Sequence, residues 1–189
     1  MKTIRTNLFA VFHICQVFLP GMLSAPNGGT IVNVSSVLGQ IPAAGLCDYS
    51  ASKAGLSALH QTLEAEIRAA RLHERVKLLL VETGQLSTPL FDWIQTPNSF
   101  VAPILEPVQV AQEIVEAIDN GRGGVIRLPA FAAFARWFAI LPAGLQRIAR
   151  SLSGIDNAVA NGSSSARKSS DQAKPRQNLQ SDSESVDTD

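Results

Sequence analysis

A chain of 189 residues is long enough for one domain with a real core, plus a tail. Hydrophobic residues make up 46% and charged residues 17%, so most of the chain must fold or meet a membrane. Lys and Arg number 16 and Asp and Glu 16, a balance that argues against the basic face of a nucleic-acid binder. The two cysteines, Cys15 and Cys47, lack C-x-x-C spacing, which argues against a zinc site or disulfide framework and for a reducing compartment.

The first expected element is a helix over residues 3 to 24. Leu8, Val11, Phe12, Cys15, Phe18 and Leu19 recur at helical spacing, and Pro20-Gly21 marks where the helix should weaken or end. The same stretch also has the outline of a secretory signal. Lys2 and Arg5 precede an apolar run from Leu8 to Phe12, and Leu23-Ser24-Ala25 resembles a cleavage site. Against that outline, His13 and Gln16 interrupt the apolar stretch, and Pro26 would follow the cut.

Asn27-Gly28-Gly29 turns the chain into Thr30–Val34, a β-branched run that reads as a buried strand. A long helix should run from about Asp48 to Arg71, with Leu56, Leu59, Leu63 and Ile67 on one face. Val76–Val81 is a second buried strand, followed by a loop rich in Thr, Ser and Pro. A helix from Pro107 to Asp119 should face Val110, Ile114, Val115 and Ile118 inward. Proline suits its first turn, where a backbone N–H has no helical partner, and Asn120-Gly121 ends it. Val125–Leu128 is a third strand candidate. Helix and strand alternate, which implies an α/β layer structure on a parallel sheet within residues 1–150. Near Ser151 the composition changes and large apolar residues almost vanish. Residues 151–189 read as a disordered Ser/Asp-rich tail, because nothing there offsets the entropy of ordering.

Tyr49 and Lys53 lie four apart on the second helix, on one face, so the ammonium can approach the phenol. A positive charge there favours phenolate and lowers the tyrosine pKa from about 10. A tyrosine so tuned can pass a proton near neutral pH. Such a pair also occurs on ordinary solvated helices, and the preceding strand is what makes it informative. Ser35 and Ser36 stand just past that strand's C-terminal end, the edge where open α/β sheets bind ligands. Ser36 precedes Tyr49 by 49 − 36 = 13 positions.

The stretches Gly29-Thr-Ile-Val-Asn-Val-Ser-Ser36 and Tyr49-Ser-Ala-Ser-Lys-Ala-Gly55 resemble the active-site signature of the short-chain dehydrogenase/reductase family. Thr6-Asn7-Leu8, with Phe12-His13 and Phe18-Leu-Pro-Gly-Met22, resembles the family helix that carries its active-site asparagine. Glu82-Thr-Gly-Gln-Leu-Ser-Thr88 resembles the family's Pro-Gly-x-x-x-Thr loop beside the nicotinamide, with Thr83 where proline is usual. The resemblance implies a Rossmann-like three-layer α/β fold and a catalytic set of Asn7, Ser36, Tyr49 and Lys53. Tyr49 would be the acid for carbonyl reduction and the base for alcohol oxidation. Lys53 would lower its pKa and bond the cofactor ribose. Ser36 would donate to the substrate oxygen, and Asn7 would hold a water linking Lys53 to solvent. NAD or NADP would be held by Tyr49, Lys53, Thr83, Gly84 and Thr88. Ser35 reads as structural, and His13, His60 and His73 as ordinary helix-face residues.

The family's opening strand and Gly-x-x-x-Gly-x-Gly turn have no counterpart, since Gly21, Gly28 and Gly29 are the only glycines before Ser36. The likeness covers about residues 3 to 150, the family's second half. The fold is therefore expected to be truncated at its N-terminal side, with a bare sheet edge, and the chain alone should not bind NAD(P) or turn over substrate. After Gly124-Val-Ile-Arg-Leu-Pro129 come Phe131, Phe134, Trp137, Phe138, Ile140, Leu141, Leu145 and Ile148, punctuated by Arg127, Arg136, Arg147 and Arg150. Spanning a bilayer takes about 20 apolar residues, so this segment better suits an interfacial helix. It looks like the membrane- or lipid-droplet-associated branch of the family, with its retinol and hydroxysteroid dehydrogenases. A substrate-binding or dimer-contact helix needs the same apolar face.

The expected partners are a small apolar alcohol or ketone, a membrane or lipid-droplet surface met through residues 125–150, and a second copy met through helices 3–24 and 48–71. The expected location is the cytoplasmic side of the endoplasmic reticulum or lipid droplet, or the cytoplasm. Two functions compete. One is an NAD(P)-dependent oxidoreductase. The other is a non-catalytic remnant that associates with a membrane or an intact family member.

Overall fold

The computed structural model describes residues 1–89 and 103–157. Three parallel strands, β1 (Gly29–Ser36), β2 (Val76–Thr83) and β3 (Gly124–Leu128), lie side by side in that order. Helix α1 (Lys2–Ser24) precedes them. Helix α2 (Cys47–Ala69) leads from β1 to β2, and α3 (Pro107–Asp119) leads into β3. Two short helices, α4 (Ala135–Ala139) and α5 (Ala143–Ser153), follow. The central strand β2 is apolar toward both faces, as a parallel strand covered on both sides must be, and Leu79, Leu80 and Val81 are fully buried. Helices α1 and α2 cover one face, where Cys15, Leu63, Ile67, Val76 and Leu78 form a core with Val11, Leu19 and Ile31. Helix α3 covers the other, where Leu79, Val81, Val110 and Ala117 pack with Val32, Ile114 and Ile126. This is the expected three-layer α/β arrangement.

Several local expectations change. Helix α1 runs through Pro20 to Ser24, whose hydroxyl donates to the Pro20 carbonyl at 3.0 Å. Proline there deletes one backbone donor, and the core contacts of Leu19, Met22 and Leu23 hold the following turn. The inward stripe is Val11, Cys15, Leu19 and Met22, while Phe12 and Phe18 face outward. By length and composition alone, α1 is also long and apolar enough to cross a membrane. In α3, Val110, Ile114 and Ala117 face the sheet, and Val115 and Ile118 are exposed. Both β1 and β2 extend two residues past their expected ends, through Ser36 and Thr83. Residues 151–153 complete α5 and Ile155–Asn157 forms a 3-10 turn, so the early part of the expected tail is helical. The rest of that tail lies outside the described residues.

The loop leaving β1 lies directly against α2. Gly39 ends a 3-10 turn (Val37–Gly39), and a Cβ there would sit 2.9 Å from the Ala54 nitrogen and 2.9 Å from the Lys53 carbonyl carbon. Backbone atoms cannot step aside as a flexible side chain can. Gly39→Val is therefore expected to destabilise the fold by about 1–3 kcal/mol, as overpacking generally does. Urea unfolding measures this, and an unchanged midpoint would show that the loop has room to retreat.

Candidate active site

The strand register gathers the candidate groups at one edge. Ser36 pairs with Thr83 and Thr83 with Leu128, so all three strands end level. The Ser36 hydroxyl donates to the Thr83 carbonyl (3.2 Å) and accepts from the Leu38 N–H (3.2 Å). Tyr49 enters from the first turn of α2. The Asp48 carboxylate accepts the Tyr49 N–H at 2.8 Å, and a hydrogen bond from Thr3 of α1 holds that carboxyl below its usual range. The Tyr49 phenol comes close enough to the Ser36 hydroxyl to interact with it. Two residues from neighbouring elements thus place their hydroxyls together at the sheet end.

Lys53 lies one turn further along α2. Its ammonium donates to the Val34 carbonyl at 2.8 Å and stands 5.7 Å from the centre of the Tyr49 ring. Burial lowers the Lys53 pKa. Burial also pushes the Tyr49 phenol above its ordinary value, with the Ser36 hydrogen bond opposing it in part. This departs from the expected lowering by Lys53. The ammonium is engaged by a backbone carbonyl, and loss of hydration dominates at the phenol. A phenol held up in this way stays protonated through the neutral range.

Asn7 lies at the centre of a π-helical stretch, Arg5–Phe9, within α1. Such one-turn widenings often mark functional sites. Its amide donates to the Ser52 hydroxyl at 3.1 Å, and Ser52 in turn donates to the Tyr49 carbonyl at 2.7 Å. The structure therefore brings Asn7 to the backbone that carries Tyr49, with its side chain on Ser52. Thr83 is buried at the end of β2. Gly84 donates its N–H to the Leu128 carbonyl at 2.7 Å, and a Cβ there would meet Pro129 at 2.9 Å, so this position needs a small residue. Thr88 lies half-exposed in the loop beyond, its N–H on the Leu86 carbonyl.

Polar residues beneath the strand ends are buried and bonded to partners remote in sequence. Ser35 is structural as expected, donating to the Lys53 carbonyl (3.0 Å) and bonded to Ser57 (2.9 Å). His60 is completely buried and bonded to Asn33 at 3.1 Å, so it is a core residue. Burial lowers its pKa, with Glu64 and Glu82 opposing. Glu82, 1% exposed, accepts from Gln40 (2.8 Å) and Arg127 (2.8 Å). Among the described residues no cluster of His, Cys, Asp and Glu could hold a metal ion.

A family profile described as "short chain dehydrogenase" matches residues 1–98. The chain belongs to the short-chain dehydrogenase family. A relative named "Uncharacterized oxidoreductase TDA5" from Saccharomyces cerevisiae is 35% identical over 155 residues, covering 82% of this chain and 47% of that protein. Retinol dehydrogenase 10 of Homo sapiens is 35% identical over 108 residues, 57% of this chain and 31% of that protein. The chain thus spans about half the length of the yeast relative. Among solved structures, a short-chain dehydrogenase from Burkholderia cenocepacia in complex with NADP superposes with a TM-score of 0.60 at 23% identity, over 79% of this chain and 58% of that one. The 3-hydroxyacyl-CoA dehydrogenase type-2 from Mycobacterium avium gives 0.57 at 20% identity, over 67% and 54%. These likenesses show the fold.

The donor set fits one end of a nicotinamide dinucleotide. The Lys53 ammonium and Tyr49 hydroxyl are hydrogen-bonding groups at the strand ends that suit a ribose diol. For a pyrophosphate, residues 1–189 contain no Gly-x-x-x-Gly-x-Gly turn that would offer backbone N–H groups.

Tyr49 is the chain's one tyrosine, so phenolate absorbance reports it alone. Its titration midpoint is expected above the ordinary value of about 10. Ser36→Ala should raise it further, because the Ser36 hydrogen bond is what favours the phenolate. Circular dichroism would confirm the fold at each pH. A midpoint below the ordinary value would show that the Lys53 charge governs the phenol after all.

Proposed function

We propose that the chain forms the catalytic part of an NAD(P)-dependent oxidoreductase acting on an apolar alcohol or ketone. The observation carrying this reading is the Ser36–Tyr49 hydroxyl pair at the strand ends, with Lys53 on the same face of α2. When bound, the nicotinamide would supply or accept hydride at the substrate carbon. Tyr49 gives a proton to the carbonyl oxygen in reduction and takes one from the alcohol in oxidation. Ser36 hydrogen-bonds the same oxygen where negative charge develops. Lys53 and Tyr49 would hold the cofactor ribose, and Thr83, Gly84 and Thr88 would hold the nicotinamide. Asn7 fixes the start of α2 through Ser52. Similarity to a protein named for retinol supports an apolar alcohol as substrate.

This reading predicts that, in the protein showing turnover, Tyr49→Phe lowers kcat about a hundredfold or more and weakens cofactor binding far less, because Lys53 still holds the ribose. The raised Tyr49 pKa adds a pH signature. Reduction needs the phenol and stays flat through neutrality, falling only as Tyr49 ionises, whereas oxidation needs the phenolate and rises with pH. Steady-state kinetics in both directions measure this, and unchanged kcat in the variant would remove Tyr49 from the mechanism.

The second reading, a non-catalytic remnant at a membrane, draws on α5. Leu145, Ile148 and Leu152 recur along one side of this helix and are all exposed, with Arg147 beside them. An apolar stripe flanked by arginine suits the surface of a membrane or lipid droplet on the cytoplasmic side. A second copy could instead pack on the outward residues of α1, where Phe9, Phe12 and Phe18 are exposed. If α5 is the membrane contact, replacing Leu145, Ile148 and Leu152 by Ser abolishes co-flotation with liposomes. Equal recovery of both proteins with the vesicles would count against it.

A further inference from the structure

Glu82 is almost completely buried and is approached by two guanidinium groups. Arg127 donates through Nε to one carboxylate oxygen at 2.8 Å, and Arg136 comes within 3.9 Å of the other, which already accepts from Gln40. One carboxylate against two cations leaves a positive charge uncompensated. The Arg136 side chain makes no hydrogen bond to the described residues and is 43% exposed. The two arginines, with Ala133, Trp137 and Ile140, line a groove of about 400 Å³. Its only ionic lining groups are guanidiniums, and its other walls are hydrocarbon and indole.

These two properties together define a ligand class. A guanidinium matches the planar or tetrahedral oxygens of a carboxylate or phosphate. The indole and aliphatic walls gain by covering an alkyl chain. We propose that this groove binds a single amphipathic anion, an aliphatic chain ending in a carboxylate or phosphate, with its head on Arg136 and Arg127 and its tail along Trp137 and Ile140. The site uses none of the groups assigned to proton transfer, so it stands or falls independently of the oxidoreductase reading.

Isothermal titration of the protein with decanoate below its micellar concentration tests the proposal, with decanol as the neutral control and inorganic phosphate as the head without a tail. Decanoate is expected to bind about tenfold or more tighter than decanol, with no heat from phosphate. Arg136→Gln should weaken decanoate about tenfold, the usual scale for a lost charge-assisted hydrogen bond, and leave decanol unchanged. Glu82 keeps Arg127 and Gln40 in that variant, so its unfolding midpoint should stay put. Trp137→Ala should weaken both amphiphiles. Equal affinity for decanoate and decanol would overturn the proposal, as would decanoate binding unaffected by Arg136→Gln. Binding to anionic phosphatidylserine vesicles without binding to monomeric decanoate would overturn it too, and would assign the arginines to a membrane surface.

Discussion

Eight consecutive residue pairs, from Gly29–Val76 to Ser36–Thr83, hold β1 against β2 in parallel register. Side chains alternate along a strand, so a slip of one position would send every β1 side chain to the opposite face. Ser35 would leave Ser57 and the Lys53 carbonyl, Asn33 would leave His60, and Ser36 would lose the Thr83 carbonyl. The apolar burial on both faces of β2 opposes such a slip. Ile31 packs toward α1 and α2, and Val32 toward α3. The location of the chemistry thus follows from hydrophobic residues that take no part in it.

Beneath the reactive edge the structure buries polar groups and pairs nearly all of them. Asn33 with His60, Ser35 with Ser57, and Glu82 with Gln40 and Arg127 occupy the sheet face toward α2. A buried polar group left alone costs about 1–3 kcal/mol, and more if charged. A paired set resists displacement, although His60 Nε2 is buried with no partner among the described residues. Glu82 shows the consequence most clearly. Its carboxylate links the loop after β1, through Gln40, to the end of β3, through Arg127, while its own backbone carries Thr83 and Gly84. Both strands flanking Thr83 are therefore tied at the level where Ser36 and Tyr49 meet.

Local features were legible in the sequence because they depend on short spacing. Tyr49 and Lys53 share a helix face by being four apart, and Ser36 ends a β-branched run. Strand ends were harder to read. The hydrophobic run stops at Val34 and Val81, but ladder hydrogen bonds are indifferent to side-chain polarity, and the Ser35, Ser36 and Glu82 side chains each find a partner. Those partners are remote in sequence: Asn33 and His60 are 27 apart, and Glu82 and Arg127 are 45 apart. Helix rotation failed for a different reason. Helix α1 is apolar nearly all round, so periodicity alone could not choose between Phe12 with Phe18 and Leu19 with Met22. In α3 the small Ala117 lies closer to the sheet than the larger Val115, since close helix–sheet approach favours a small side chain.

Lys53 is where fold and chemistry meet most directly. Strand β1 has β2 on one side and, among the described residues, no strand on the other. An open strand edge displays carbonyls that water or another chain would otherwise satisfy, and a lysine laid across such an edge blunts it. The bond from Lys53 to the Val34 carbonyl does this, beside a Val34 side chain that is itself exposed. The same bond engages the ammonium, and burial raises the Tyr49 pKa where four-residue spacing suggested a lowering. Four-residue spacing brings Lys53 to the Tyr49 ring, but its hydrogen bond goes to the Val34 carbonyl, and burial sets the direction of the tyrosine's shift.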